Sequence, residues 1–156
     1  MHLELPVHAS APAQARREVA SWLQQLCGLL PLCEVAEGLI FAMSEAVTNS
    51  IDHAFVEADT IRPDVQPPGP SATTGQACGQ ERLGLVILDG WVAKASASAK
   101  RHVVLTVVDD GRWRPPPTDP GNRGRGLAMM KGFVDQVDID PKPEGTVVRL
   151  QQALEC

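Results

Sequence analysis

A chain of 156 residues, 44% hydrophobic and 21% charged, has the size and composition of one globular domain and not of a disordered or fibrous protein. Its net charge of −5, from 14 Lys plus Arg against 19 Asp plus Glu, argues against a broad basic surface for nucleic acid or an anionic membrane, although a local basic pocket fits it. Thirteen Pro and thirteen Gly beside three Trp, three Phe and no Tyr predict a mainly aliphatic core with part of the length in loops.

In chain order, Leu3, Leu5 and Val7 alternate with polar residues and predict a short first strand. Met1 to Pro6 lacks the basic region and apolar stretch of a secretory leader, and apolar runs such as Leu85 to Leu88 are too short to span a bilayer, so a cytoplasmic protein is expected. Ser10 is placed to cap a first helix with Pro12 in its first turn; Val19, Leu23, Leu26 and Leu30 recur at helical spacing until Pro31 closes it. A second helix is predicted from about Cys33 to Phe55. It has an apolar stripe of Ile40, Met43, Val47, Ile51 and Ala54, and an opposite stripe of Glu45, Asn49, Asp52 and His53.

Residues 57–80, rich in Pro, Gly, Ser and Thr, read as a flexible insertion within one domain spanning 1–156. A strand is expected over Leu83 to Leu88, a turn at Asp89-Gly90 into a hairpin tip, and a second arm over His102 to Asp109. A Pro/Gly loop over Arg112 to Gly124, a short helix over Leu127 to Phe133 and strands at Val137 to Ile139 and Val147 to Leu150 complete the order. Strand, helix, helix, two strands, helix, two strands suits an α/β two-layer sandwich, a mixed sheet with its helices on one face. Cys27, Cys33, Cys78 and Cys156 form no C-x-x-C pair and are expected as idle thiols. His2, His8, His53 and His102 lack metal-ligand spacing.

Three constellations could carry chemistry. Glu45 and Asn49 lie one turn apart on one helix face, a carboxylate beside a carboxamide, which suits a base next to a metal ligand or simply a solvated face. Asp109 ends the strand row Val103, Leu105 and Val107, with Gly111 just beyond; such a carboxylate can accept an adenine amino group, or merely close a hairpin. Gly121 to Leu127 is a glycine loop running into a helix start with Arg123 and Arg125 inside it, a setting that favours phosphate but is also an ordinary turn.

In this order the three are more specific than any one alone. Ser44-Glu45-Ala46-Val47-Thr48-Asn49-Ser50-Ile51-Asp52-His53-Ala54 resembles the N-box, Asp109-Asp110-Gly111 the G1 box, and Gly124-Arg125-Gly126-Leu127-Ala128-Met129-Met130 the G2 box of the Bergerat-fold ATPases, the superfamily of gyrase, MutL and histidine kinases. Within it the chain is similar to the bacterial anti-sigma factors that are also serine/threonine protein kinases, including their late Gly-Thr, here Gly145-Thr146. The resemblance runs from Leu3 to Leu150, interrupted by the insertion and the hairpin tip. At Trp113 the family's G1 box often carries a second glycine.

The resemblance implies that Glu45 is the general base, Asn49 holds the Mg²⁺ that bridges the ATP phosphates, and Asp109 binds adenine with help from Thr146. Gly111, Gly124 and Gly126 would shape the pocket and lid, with His53 and Leu127 also among the nucleotide-binding residues, and either Arg123 or Arg125 would be the lid arginine. It further implies a sigma factor and an anti-anti-sigma antagonist as partners, phosphorylation of Ser or Thr on the latter, and a homodimer to which helix one could supply a surface. A non-catalytic nucleotide-binding interaction module and a detached ATPase domain are the alternatives. Neither nucleic acid nor membrane is expected as a partner. Because loop-closure cost rises slowly with length, replacing residues 57–80 by a short Gly/Ser turn should leave the melting temperature within a few degrees. A large drop in a thermal melt would mean that the segment packs on the core.

Overall fold

The computed structural model describes residues 1–28, 32–54, 84–94, 101–111 and 125–154, the side chains of 53, 54, 125 and 154 excepted. The insertion expected at 57–80 lies outside these residues. The chain forms β1 (His2–Pro6), α1 (Ala11–Cys27), α2 (Glu34–Asn49) passing into a π-helical turn at Ser50–Ala54, β2 (Leu85–Lys94), β3 (Arg101–Asp109), α3 (Arg125–Phe133), β4 (Gln136–Lys142) and β5 (Gly145–Leu154). The α/β two-layer sandwich is as expected. The sheet runs β1-β2-β3-β5-β4 and every pair is antiparallel, which corrects the mixed sheet read from the sequence. A two-residue side-chain period is common to parallel and antiparallel strands, so alternation alone carries no direction.

Alternation does determine the face. Leu3, Leu88, Val107, Val148 and Ile139 are successive cross-strand partners, and all five belong to the core or pack against it beneath the helices. Ala11, Ala15, Val19 and Leu23 of α1 and Ala36, Leu39, Ala42, Met43, Ala46 and Val47 of α2 are buried in that core, the 3.6-residue stripe of an amphipathic helix. The opposite sheet face carries exposed Trp91, with the Arg149 guanidinium 5.7 Å from its ring centroid. At the β1 edge, His2 Nδ1 pairs with Asp89 Oδ1 at 2.6 Å, and this carboxylate holds the imidazole pKa above its ordinary 6.5. Among the described residues no helix is long and apolar enough to cross a membrane.

Several local expectations change. Helix α1 ends at Cys27, not at Pro31, because Gly28 takes a left-handed conformation (φ 67°) and its N–H bonds the Gln24 carbonyl at 2.8 Å, a glycine C-cap. Ser10 precedes the helix but gives no side-chain cap; its hydroxyl lies 2.8 Å from His8 Nδ1 instead. Cys33 is a free, exposed thiol. Asp89-Gly90 makes no turn, since β2 runs straight through it to Lys94.

Gly90 is instead where side chains crowd the strand backbone. A Cβ there would stand 2.8 Å from both Leu105 Cδ2 and Met1 Cγ and 3.1 Å from Trp22 Cζ3, so β1, α1 and β3 converge on a position that only glycine fills without displacement. Gly90→Val should therefore destabilise the fold by about 1–3 kcal/mol through overpacking. Urea denaturation would read this as a lower midpoint at unchanged slope, and an unaltered midpoint would contradict the packing.

Candidate functional site

Helix α2 faces two ways. Ala42, Met43, Ala46 and Val47 are buried against the sheet, while Glu45 and Asn49, four residues apart, stay half-exposed on the side that meets α3. The start of α3 comes close to them: a Cβ on Gly126 would lie 3.3 Å from Asn49 Nδ2 and from Glu45 Oε2. A larger residue at 126 would fill the space beside both side chains. The fold thus brings Glu45 and Asn49 of the first motif close to Gly126 of the third.

A second cluster begins one residue after Asn49. Successive helical residues point about 100° apart, so Ser50 turns from the α3 side into the protein, where it is buried and its hydroxyl donates to Asp109 Oδ2 at 2.8 Å. The Gly111 N–H donates to the other oxygen, Oδ1, at 3.1 Å. Asp109 is only 5% exposed, at the end of the helix-facing row of β3 and opposite Thr146, which is also buried. Removal from water pushes its pKa above the ordinary 3.8, and the Asp110 charge adds to this; the hydrogen bonds from Ser50, Gly111 and the Thr146 backbone pull the other way.

Gly145, at the β4–β5 turn, has φ +152°, and a Cβ there would overlap the Asp109 carbonyl oxygen and stand 2.9 Å from its carbonyl carbon. Only glycine lets this hairpin end press against the Asp109 backbone. The Gly145-Thr146 pair therefore belongs physically to the Asp109 cluster.

Leu127 is half-buried and packs against the core. Arg123 and Gly124 lie outside the described residues, as do the side chains of His53 and Arg125, and so does Trp113. Two contacts were not anticipated. Ser50 follows Asn49 directly, and a small hydroxyl residue on the buried side of a helix end is a signal that could have found it. The Arg16 guanidinium donates to the hydroxyl of buried Ser44 at 2.6 Å, tying α1 to the residue before Glu45; nothing in the spacing of residues 28 apart pointed to that pair.

A half-exposed carboxylate and amide on one helix, met by a glycine at the next helix start and adjoined by a buried carboxylate at a strand end, make up the candidate site. The chain belongs to the histidine kinase-like ATPase domain family, which it matches over residues 5–152, and ATP is accordingly its ligand class. It is 30% identical over 167 residues to the anti-sigma F factor of Bacillus velezensis and 28% identical over 155 residues to that of Bacillus subtilis, each alignment covering 99% of this chain and 92% of the relative. Its fold also resembles the crystal structure of the RsbU and RsbW domains of Rv1364c from Mycobacterium tuberculosis. That match has a TM-score of 0.58 and 19% identity, over 97% of this chain and 31% of that one.

The electrostatics of Asp109 imply a cost to the fold. A carboxylate whose folded pKa is raised contributes stability that is complete below its ordinary 3.8 and lost as the pH rises through the raised value. At neutral pH the ionised group therefore weakens the fold, so Asp109→Asn should raise the melting temperature at pH 7, with a gain that shrinks towards pH 4. Melts of both proteins at the two pH values check this, and an unchanged or lower value for the variant at pH 7 would contradict it.

Proposed function

We propose that this protein is an ATP-dependent anti-sigma regulator that binds a sigma factor and phosphorylates a serine or threonine of an anti-anti-sigma antagonist. The observation that carries it is Glu45 beside Asn49, both against Gly126 at the start of α3, with buried Asp109 held by the next residue, Ser50. The similarity to proteins named anti-sigma F factor over nearly the whole chain supports the regulatory part.

Asp109 is the acceptor for the adenine amino group, with Thr146 beside it, and Gly111 keeps the carboxylate oriented through its N–H. Asn49 suits Mg²⁺: a neutral amide oxygen is a hard ligand, the glycine at 126 leaves the space beside it unfilled, and Mg²⁺ takes its remaining ligands from phosphates and water. When bound, that ion neutralises phosphate charge. By the family resemblance, Gly124 and Gly126 would shape the loop over the phosphates, His53 and Leu127 would border the nucleotide, and Arg123 or Arg125 would meet the terminal phosphate.

Glu45 takes the proton of the acceptor hydroxyl as its oxygen bonds to the γ-phosphorus and the bond from that phosphorus to the β–γ bridging oxygen breaks, leaving ADP. Positioning and charge neutralisation supply most of such a reaction. One domain spans 1–156 with an insertion at 57–80. The protein acts in the cytoplasm as a homodimer, with neither nucleic acid nor membrane as partner.

Incubation with labelled ATP, Mg²⁺ and candidate antagonist proteins tests the reading. Transfer to Ser or Thr is expected, and Glu45→Gln should slow it by about 10²–10⁴ while leaving ATP affinity unchanged. Asn49→Ala should weaken both Mg²⁺-dependent nucleotide binding and transfer. Undiminished transfer by Glu45→Gln would remove the base assignment. Sigma binding with no transfer to any antagonist would make the protein a non-catalytic nucleotide-binding module.

A further inference from the structure

The Ser50 side chain has no part in the reaction above, yet it makes the one side-chain hydrogen bond to Asp109 among the described residues. We infer that Ser50 is a specificity-determining positioning residue: by donating to Asp109 Oδ2 it fixes this carboxylate as a hydrogen-bond acceptor, so that the pocket selects a purine with a 6-amino group over one with a 6-carbonyl. The inference rests on the nucleotide reading of the Asp109 pocket.

Both residues are nearly sealed from solvent, at 4% and 5% exposure. A serine hydroxyl facing an ionised carboxylate can only donate, and a carboxylate offers about four lone-pair positions. Ser50 occupies one on Oδ2 and the Gly111 N–H one on Oδ1, 3.1 Å away, while the Thr146 backbone gives a lesser interaction. What is left over accepts an N–H.

The same donors decide which base is refused. Each favours the ionised form, whereas a neutral carboxyl would carry its own O–H and could donate it to the 6-carbonyl of hypoxanthine or guanine. Around Asp109 the balance is delicate. Burial and the adjacent Asp110 charge both favour the neutral form, and the cross-strand partners Val86 on β2 and Thr146 on β5 bring no charge. Ser50 is the largest influence in favour of the acceptor. It also sits next to Asn49 at the end of α2, so the helix that carries the phosphate-side residues fixes the base side as well.

The test is calorimetric titration of the full chain with Mg²⁺-ADP and Mg²⁺-IDP, which differ at the purine 6-position and, as a consequence, at N1. For Ser50→Ala we expect ADP affinity to fall about tenfold, as when a hydrogen bond to a charged group is lost, with IDP affinity within about twofold of the parent. Ser50→Thr should restore most of the ADP affinity and Ser50→Val, its isostere without the hydroxyl, should not. That pair decides the matter if Ser50→Ala does not fold. Equal losses for ADP and IDP would mean a merely structural role and overturn the inference, as would unchanged discrimination in both Ser50→Ala and Ser50→Val. A parent protein that binds ADP and IDP alike would overturn the adenine reading of Asp109 itself, and the inference with it.

Discussion

A carboxylate placed where a hydrophobic strand would otherwise end in another apolar side chain is the constraint around which this domain is arranged. Asp109 continues the buried row of Val103, Leu105 and Val107 and loses most of its hydration with them. A buried charge is tolerated only when hydrogen bonds replace water. Here they come from three directions: the hydroxyl of Ser50 at the end of α2, the amide of Gly111 just past β3, and the backbone of Thr146 on β5. A group that raises the energy of the folded state thereby joins the helical layer to two strands.

The glycines around it have separate physical reasons. Gly145 is required because the end of the β4–β5 hairpin runs against the Asp109 carbonyl, whereas a Cβ at Gly126 would stand in tight contact with the side chains of Glu45 and Asn49. In each case the missing Cβ lets a neighbour come close. The same holds for Gly90 in the core, where three elements meet. Helix α2 connects these regions. Its buried stripe fastens it to the sheet, its half-exposed stripe carries Glu45 and Asn49, and the step of about 100° to the next residue turns Ser50 towards Asp109. Arg16 on α1 braces this helix through Ser44, one residue before Glu45.

Much of this was legible in the residues alone. The period-2 rows of Leu3-Leu5 and Val103-Leu105-Val107 and the 3.6-period stripe of α2 placed the elements and their inner faces, because side-chain direction follows local backbone geometry. The N-box, G1 and G2 resemblance singled out Glu45, Asn49, Asp109 and Gly126, and the late Gly-Thr added Thr146; the fold gathers them into two adjoining clusters. Where the reading went astray, local signals competed with distant ones. Asp89-Gly90 has turn chemistry, yet Gly90 lies inside a strand because Met1, Trp22 and Leu105 crowd over it. Pro31 is a strong helix stop, but Gly28 stops α1 earlier with a left-handed cap.

The sequence by itself determined the order of helices and strands, which face of each is apolar and the aliphatic character of the core, since these depend on residue type and short-range spacing, while the family resemblance of its motifs marked the candidate site residues. Tertiary structure alone decided that every strand pair is antiparallel, that Gly126 meets Asn49, that Arg16 reaches Ser44, and that Ser50 is the partner of Asp109, 59 residues further along. Such contacts depend on how separate elements approach one another, and no local periodicity carries that information. The pKa of Asp109 follows the same rule: an acid at a strand end is ordinary in sequence, and only its enclosure by α2 and the neighbouring strands moves it.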